Sequence, residues 1–304
     1  MAADGMSLDG HVHFFTASDL EVVAGRLPFA LPVPHLLSNY LAQLAKSGVA
    51  PKLLNNVHLS VLPDSSNVFA SFEEMEALRA QWPGRYDEVR LVGTIKADPT
   101  YATAERLSHP QVVGIRVVLH DAPPESISDH AYGGSDWLAL LARLRTDQHV
   151  HVYAKEAETN LRVLRQIPDQ IRVVIDHLGT CHPERGEDEP SYHALLQEAG
   201  RRGNVWFKGP GYRTSTKVDE VVPFVRAIIK AVSADRVLLS ASDAPHVGTD
   251  NEGVGFASHY NSVSALEFCE ALASSVSFAT GIPVRRLLSA AADDLFPIQQ
   301  KAKP

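Results

Sequence analysis

Short apolar runs rich in β-branched residues alternate along the chain with segments whose apolar residues recur at helical spacing. Each run is too short for a helix and is bounded by polar or turn-forming residues, which is typical of buried parallel strands. We therefore predict eight strands, at residues 7–13, 57–62, 89–96, 112–119, 149–154, 172–176, 205–208 and 236–240. The clearest helical patterns between them cover residues 137–145, 156–166, 192–201 and 218–232.

Strands that alternate with helices in this way favour an α/β fold, a single (β/α)8 TIM barrel that covers residues 1–304. The competing architecture is a doubly wound open sheet, which normally carries a glycine-rich phosphate-binding turn after an early strand. The sequence has no such turn. Three long segments follow predicted strands, and in a barrel they become extended βα loops over the C-terminal mouth: 18–34, 182–190 and 246–259.

Composition narrows the choice of partners. The chain of 304 residues is 45% apolar, has a formal net charge of −8 and contains no basic cluster, so we expect no nucleic-acid partner. The sequence has no apolar stretch long enough to span a membrane and no signal-peptide pattern, so we expect no membrane association. The two cysteines, Cys181 and Cys269, fit a reducing compartment, and we expect a cytoplasmic protein.

Polar side chains collect where the predicted strands end. His11 and His13 are two residues apart on the first strand, so their side chains share a face. Inward residues at the strand ends of a barrel meet in one cavity. The residues that join the two histidines there are Arg116, His149, His151, Tyr153, His177, Lys208, Arg213, Asp243 and His246.

Each of these residues also has a purely structural explanation. Core histidines can satisfy local hydrogen bonds, and Arg116 and Lys208 can close buried ion pairs. We interpret His149 and His151 as packing residues, and we expect Asp176 to point away from His177 and to cap local backbone. The combination of paired histidines, a terminal histidine and a terminal aspartate, in barrel order, favours a catalytic site.

Five motifs follow one another from the first predicted strand to the last: Asp9-Gly-His-Val-His13, Gly114-Ile-Arg116, Ile175-Asp-His-Leu-Gly179, Trp206-Phe-Lys208 with Arg213, and Ser242-Asp-Ala-Pro-His246. In this order they resemble the amidohydrolase superfamily, and more specifically the amidohydrolase-2 group that contains lactonases for 2-pyrone-4,6-dicarboxylate and for sugar lactones. The resemblance covers nearly the whole chain. It implies a TIM-barrel hydrolase that opens a lactone, which is a cyclic ester.

The chain departs from the metal-dependent members of that superfamily on the fifth strand. Those members have a histidine ligand where this sequence has Tyr153, a poor zinc ligand, and nothing on the fourth strand would bridge two metals. The pyrone-dicarboxylate lactonase has the same tyrosine and works without a metal, so the resemblance implies that no cofactor is required. A single divalent metal such as zinc, on His11, His13, His177 and Asp243, is left open.

A second departure concerns the substrate. The pyrone-dicarboxylate lactonase has an arginine shortly after the strand-six histidine, and this chain has Thr180. Arg116 and Arg213 remain, and arginine pairs well with carboxylates, so we expect a small anionic lactone with one carboxylate. Lys208 and His246 are expected as further substrate contacts.

The resemblance and the residue types together predict Asp243 as the general base, with His11, His13, Tyr153 and His177 as hydrogen-bond donors to the lactone carbonyl. One alternative is a metal-dependent hydrolase or non-oxidative decarboxylase with a mononuclear site on His11, His13 and Asp243. Another is a barrel that binds a small anion without turning it over. Oligomerisation is left open.

Overall fold

The computed structural model describes residues 7–24, 33–120, 122–128, 131–245 and 263–297. Eight strands in these ranges form one sheet in chain order, and every neighbouring pair is parallel. The strands are β1 Leu8–Val12, β2 Leu53–Val57, β3 Arg90–Lys96, β4 Val112–His120, β5 His149–Ala154, β6 Arg172–Ile175, β7 Val205–Lys208 and β8 Val237–Leu238.

The segment that follows β8 closes the sheet against β1. The Gly10 N–H donates to Ser240 O at 2.8 Å, the Asp243 N–H donates to His11 O at 2.7 Å, and the His13 N–H donates to Ala244 O at 2.8 Å. These bonds join the last strand region to the first. The predicted (β/α)8 barrel is therefore confirmed.

Ten α-helices lie in the described ranges and cover the outside of the sheet. None of them is long and apolar enough to cross a membrane. The helices are α1 Ala17–Glu21, α2 Leu37–Lys46, α3 Ser66–Gln81, α4 Ala104–Ser108, α5 Ser135–Ala142, α6 Ala157–Gln166, α7 Pro190–Arg202, α8 Val218–Val232, α9 Ala265–Thr280 and α10 Val284–Leu295.

Two predicted strands are wrong in detail. The second lies at Leu53–Val57 rather than at 57–62, because Asn55 and Asn56 interrupt its apolar pattern. Both amides are buried: Asn55 Nδ2 donates to Gly10 O at 3.1 Å, and Asn56 Nδ2 donates to Ser71 Oγ at 2.9 Å. The eighth strand has two residues rather than the predicted 236–240, because the chain leaves the ladder after Leu238.

The N-terminal end of the barrel interior is filled by apolar side chains, and α10 covers it. The cluster consists of Leu53, Val92, Val113, Val174, Trp206 and Leu238 from the strands, with Ala291, Ala292, Leu295 and Phe296 from α10 and the residue after it. A packed interior at this end leaves the C-terminal ends of the strands as the place where polar side chains gather.

Candidate active site

The strand ends bring most of the predicted site residues to one place, the mouth side of the barrel. All are at most 9% exposed except Arg213, whose side chain is 15% exposed. The strands and the segments directly after them supply His11 and His13 (β1), Arg116 (β4), His151 and Tyr153 (β5), Asp176 and His177 (β6), Lys208 and Arg213 (β7), and Asp243 (β8). The predicted contact His246 lies outside the described residues.

His11 lies between two carboxylates. Its Nδ1 is 3.3 Å from Asp176 Oδ1, and its Nε2 is 3.4 Å from Asp243 Oδ1. Burial, reinforced by the nearby Lys208, lowers the pKa of His11 well below its usual value, and Asp176 opposes the shift. The ring is therefore neutral near pH 7 and carries one N–H, so it can donate to only one of the two carboxylates.

His13 presents a defined nitrogen to the site. Its Nδ1 is 2.6 Å from Val57 O, so Nδ1 carries a hydrogen and donates it to that carbonyl. Its Nε2 faces Asp243 Oδ1 at 3.3 Å. Nε2 is therefore the nitrogen that this ring presents to Asp243, and it is the donor atom that would face a metal ion.

The carboxylate of Asp243 contacts several side chains, and its backbone conformation is strained. Its φ of +53° is uncommon for a residue with a side chain, and such strain is often found at functional sites. Arg213 Nε donates to Asp243 Oδ2 at 2.8 Å, and Arg213 Nη2 donates to the same oxygen. Burial would raise the pKa of Asp243, but Arg213, His13 and His11 outweigh burial and hold this pKa well below its usual range.

Asp176 caps local backbone as expected, because its Oδ1 accepts from the N–H of His177 at 3.1 Å, but its carboxylate does not point away from His177, whose Nε2 lies 3.6 Å from Oδ2. Its carboxylate is fully buried among site residues: Arg116 Nη2 donates to Oδ2 at 2.8 Å, and His151 Nε2 lies 3.2 Å from the same oxygen. Burial would raise the pKa of Asp176, but His151, His177 and the other neighbours hold it well below its usual range. The chain turns after β6 with a φ of +47° at His177, so the adjacent Asp176 and His177 both reach the site, which strand alternation alone would not allow.

His151 was interpreted as a packing residue, and it lies in the barrel interior, where it contacts Asp176. Burial lowers its pKa to about 3, so the ring is neutral. His149 lies at the start of β5. Its ring contacts Phe296, with centroids 6.1 Å apart, at the N-terminal end of the barrel that α10 covers, which we call the closed end. The two histidines thus belong to different ends of the barrel, and only His151 reaches the site.

Tyr153 and His177 form an edge-to-face pair with ring centroids 4.5 Å apart. Burial raises the pKa of Tyr153 to about 12, so its phenol stays protonated and can donate a hydrogen bond. Burial lowers the pKa of His177 to about 4, so this ring is neutral. Within the described part of the chain, His177 Nδ1 is buried and makes no hydrogen bond.

Lys208 and Arg116 are held by the barrel itself. Lys208 Nζ donates to Gly10 O at 2.9 Å, and burial lowers the pKa of this amine to about 7. Arg116 Nη1 donates to His58 O at 2.9 Å while its other arm holds Asp176. Of the two arginines expected to bind substrate, Arg213 is the more exposed, since its side chain is 15% exposed and that of Arg116 is 4% exposed.

Two buried groups in the described residues have the donor atoms that metal ions use. One is His11, His13 and Asp243, and the other is His11, His151 and Asp176, with the donor atoms of each group within 4.8 Å of one another. The first group fits a single divalent ion, because the Nε2 atoms of His11 and His13 both face Asp243 Oδ1. In the second group Arg116 already compensates the charge of Asp176.

The chain is similar in sequence and fold to several known proteins. It is 35% identical over 82 residues to a 4-sulfomuconolactone hydrolase from Hydrogenophaga intermedia, and this match spans 26% of each chain. A solved structure from Pseudomonas putida, provisionally assigned as a 2-pyrone-4,6-dicarboxylic acid hydrolase, is 26% identical with a TM-score of 0.68, covering 97% of this chain and 98% of its own.

A zinc-bound amidohydrolase from Burkholderia multivorans has the same fold, with 16% identity and a TM-score of 0.62, covering 95% of this chain and 98% of its own. The sequence model of the amidohydrolase family, in its amidohydrolase-2 group, matches residues 8–257. This range runs from the start of β1 to beyond Asp243, so it includes every site residue described above. The chain therefore belongs to the amidohydrolase family.

Proposed function

We propose that the protein hydrolyses the ester bond of a small lactone that carries an anionic group. The observation that carries the proposal is the ionised carboxylate of Asp243, buried beside His11 and His13 and bonded to the partly exposed Arg213. Both lactone-related relatives support this substrate class, since their names describe a sulfonated and a dicarboxylated cyclic ester.

Asp243 acts as the general base. It accepts a proton from a water molecule, and the oxygen of that water attacks the lactone carbonyl carbon. The ring C–O bond then breaks, and the proton returns from Asp243 to the leaving alkoxide, which yields a hydroxy acid. The low pKa of Asp243 keeps it ionised at neutral pH but makes it a weak base. Much of its catalytic effect must therefore come from its position next to the attacking water.

Tyr153 and His177 stabilise the oxyanion that forms on the carbonyl oxygen. Tyr153 is a protonated phenol and His177 a neutral imidazole, and each can donate one hydrogen bond. Because both are buried, these bonds act where water screens them little, and removing one such donor typically costs on the order of 100-fold in rate.

Arg213 binds the anionic group of the substrate. A guanidinium at the mouth can pair with a carboxylate or a sulfonate through two N–H groups. Thr180 cannot add a second arm, since its hydroxyl donates to Ala154 O at 2.5 Å. We therefore propose a substrate with fewer anionic contacts than a pyrone dicarboxylate would require.

A second candidate is a metal-dependent hydrolase or non-oxidative decarboxylase, and the donor group of His11, His13 and Asp243 favours it. A divalent ion held there would polarise the substrate's carbonyl or carboxylate oxygen. Two features favour the metal-free reaction: Arg213 already balances the charge of Asp243, and Tyr153 stands where a fifth-strand histidine ligand is expected.

The test is a pH-indicator assay of the purified protein against carboxylated, sulfonated and sugar lactones, each paired with an uncharged lactone of the same ring size. We expect acid release from the anionic lactones. Binding without acid release from any lactone, or release of CO2, would contradict the proposal. Activity that survives dialysis against a chelator supports the metal-free reaction, whereas loss of activity that zinc restores supports the second candidate.

We also propose a cytoplasmic location. Cys181 and Cys269 are both free and buried, which is expected in a reducing compartment. Fractionation of cells that express the tagged protein tests this, and recovery outside the cytoplasm would contradict it.

A further inference from the structure

Asp9 begins the first motif of the chain, yet its carboxylate is buried beside the site rather than in it. It accepts four hydrogen bonds. Oδ1 accepts from the N–H of Ser242 at 2.9 Å and from the N–H of His11 at 3.0 Å. Oδ2 accepts from the hydroxyl of Tyr40 at 2.6 Å and from that of Ser242 at 2.5 Å.

Ser242, the residue before Asp243, is held at its amide, its hydroxyl and its carbonyl. Asp9 binds the first two, and the hydroxyl of Tyr212 donates to the carbonyl oxygen at 2.5 Å. The Ser242 hydroxyl also accepts from the N–H of Ala244 at 3.1 Å. These bonds fix the backbone on both sides of Asp243.

The backbone at Asp243 needs such support. The regular ladder of β8 ends at Leu238, and beyond it the chain is joined to β1 by single bonds such as that from the Asp243 N–H to His11 O. The φ of +53° at Asp243 lies in the left-handed region that residues with a Cβ rarely adopt. Residues in such conformations persist only where the surroundings over-determine them.

We propose that Asp9, Tyr40, Tyr212 and Ser242 form a clamp that aims the Asp243 carboxylate at the reacting water. The proposal rests on the proposed function, since it takes Asp243 as the base. The four clamp residues are positioning residues: they act through Asp243. A displacement of a catalytic group by about 1 Å can cost on the order of 100-fold in rate.

The test removes one clamp hydroxyl at a time, in Ser242→Ala and Tyr40→Phe. We expect kcat to fall about 10-fold to 100-fold while KM changes less than about threefold, because substrate contacts are untouched. Ser242→Thr keeps a hydroxyl and should recover part of the rate. The matched control is Ser71→Ala, which deletes a buried hydroxyl bonded to Val68 O and Asn56 away from the site and should keep wild-type kcat.

A double-variant cycle separates positioning from general damage to the fold. In the Asp243→Asn background, Ser242→Ala should cause almost no further loss, because the group that the clamp aims is gone. A further loss as large as in the wild-type background would overturn the clamp. So would a wild-type kcat in Ser242→Ala and Tyr40→Phe when Asp243→Asn is inactive.

A crystal structure of Ser242→Ala gives a readout independent of activity. We expect the Asp243 carboxylate to move by more than about 0.5 Å, the tolerance of a productive geometry, and an unmoved carboxylate would overturn the clamp. If instead Asp243→Asn keeps the wild-type rate while the carboxylate does move in Ser242→Ala, then Asp243 is not the base. In that outcome the proposed function fails and the structural role of the clamp stands.

Discussion

The two ends of the barrel interior use the same strands for opposite purposes. Val174 on β6 faces inward, and so does Asp176, two residues later and directly after the strand; on β7 the inward residues are Trp206 and then Lys208. Two residues along a strand span about 7 Å. The apolar residue of each pair packs against α10 at the closed end, and the polar one faces the site, so stability and chemistry are separated by one step of strand alternation.

The largest expected effect tests the closed end. Trp206→Ala removes a side chain that is 4% exposed in the apolar cluster. We expect the free energy of unfolding in urea to fall by about 3–5 kcal/mol, with kcat per folded molecule close to wild type. Trp206→Phe is the matched control and should lose less stability. Loss of kcat without loss of stability would break the distinction between the two ends.

The next effect tests the mouth. Tyr153→Phe removes one oxyanion donor and should lower kcat by about 100-fold, equivalent to about 2.7 kcal/mol in the transition state, with little change in stability. Tyr132→Phe is the matched control, because burial also raises the pKa of Tyr132 to about 12 but its ring packs on Trp137 away from the site. Equal rates for the two variants would remove Tyr153 from the mechanism.

The smallest of these effects concerns pH and stability at the mouth. Burial, with Arg116 nearby, lowers the pKa of His58 from 6.5 to about 3. Between these values the unfolded chain binds a proton that the folded protein does not, so this stability is complete above pH 6.5 and falls as the pH drops. From pH 7 to pH 5 the wild type should lose about 2 kcal/mol more unfolding free energy than His58→Asn.

Urea titrations of both proteins at the two pH values measure this difference, in which the contributions of other groups largely cancel. Parallel losses in the wild type and His58→Asn would mean that folding does not lower the pKa of His58.

The fold was predictable because its signals are local. Strands such as β6, residues 172–175, have apolar β-branched runs bounded by polar or turn residues, and helix α8 has helical spacing of its apolar residues. The prediction failed at β2, where Asn55 and Asn56 look like loop residues. Their amides are satisfied only by groups distant in the chain, such as Gly10 O and Ser71 Oγ, and no local pattern encodes such partners.

The candidate site was predictable only in part. The spacing of His11 and His13 indicates a shared face, and their rings do lie 4.8 Å apart. Asp176 was missed because alternation places only one of two adjacent residues inward and His177 was taken as that residue, whereas the left-handed turn at His177 brings both to the site. The partners of Asp9 were also out of reach, since Tyr40 and Ser242 are 31 and 233 residues away in sequence.

The replacement of Asp243 by asparagine tests the central claim most directly. Asp235→Asn is the control, because it removes a carboxylate from an exposed pair with Arg286, outside the barrel mouth. With both variants folded by circular dichroism, we predict that kcat for an anionic lactone falls about 1,000-fold in Asp243→Asn and is unchanged in Asp235→Asn. A rate in Asp243→Asn within about threefold of wild type would contradict the account.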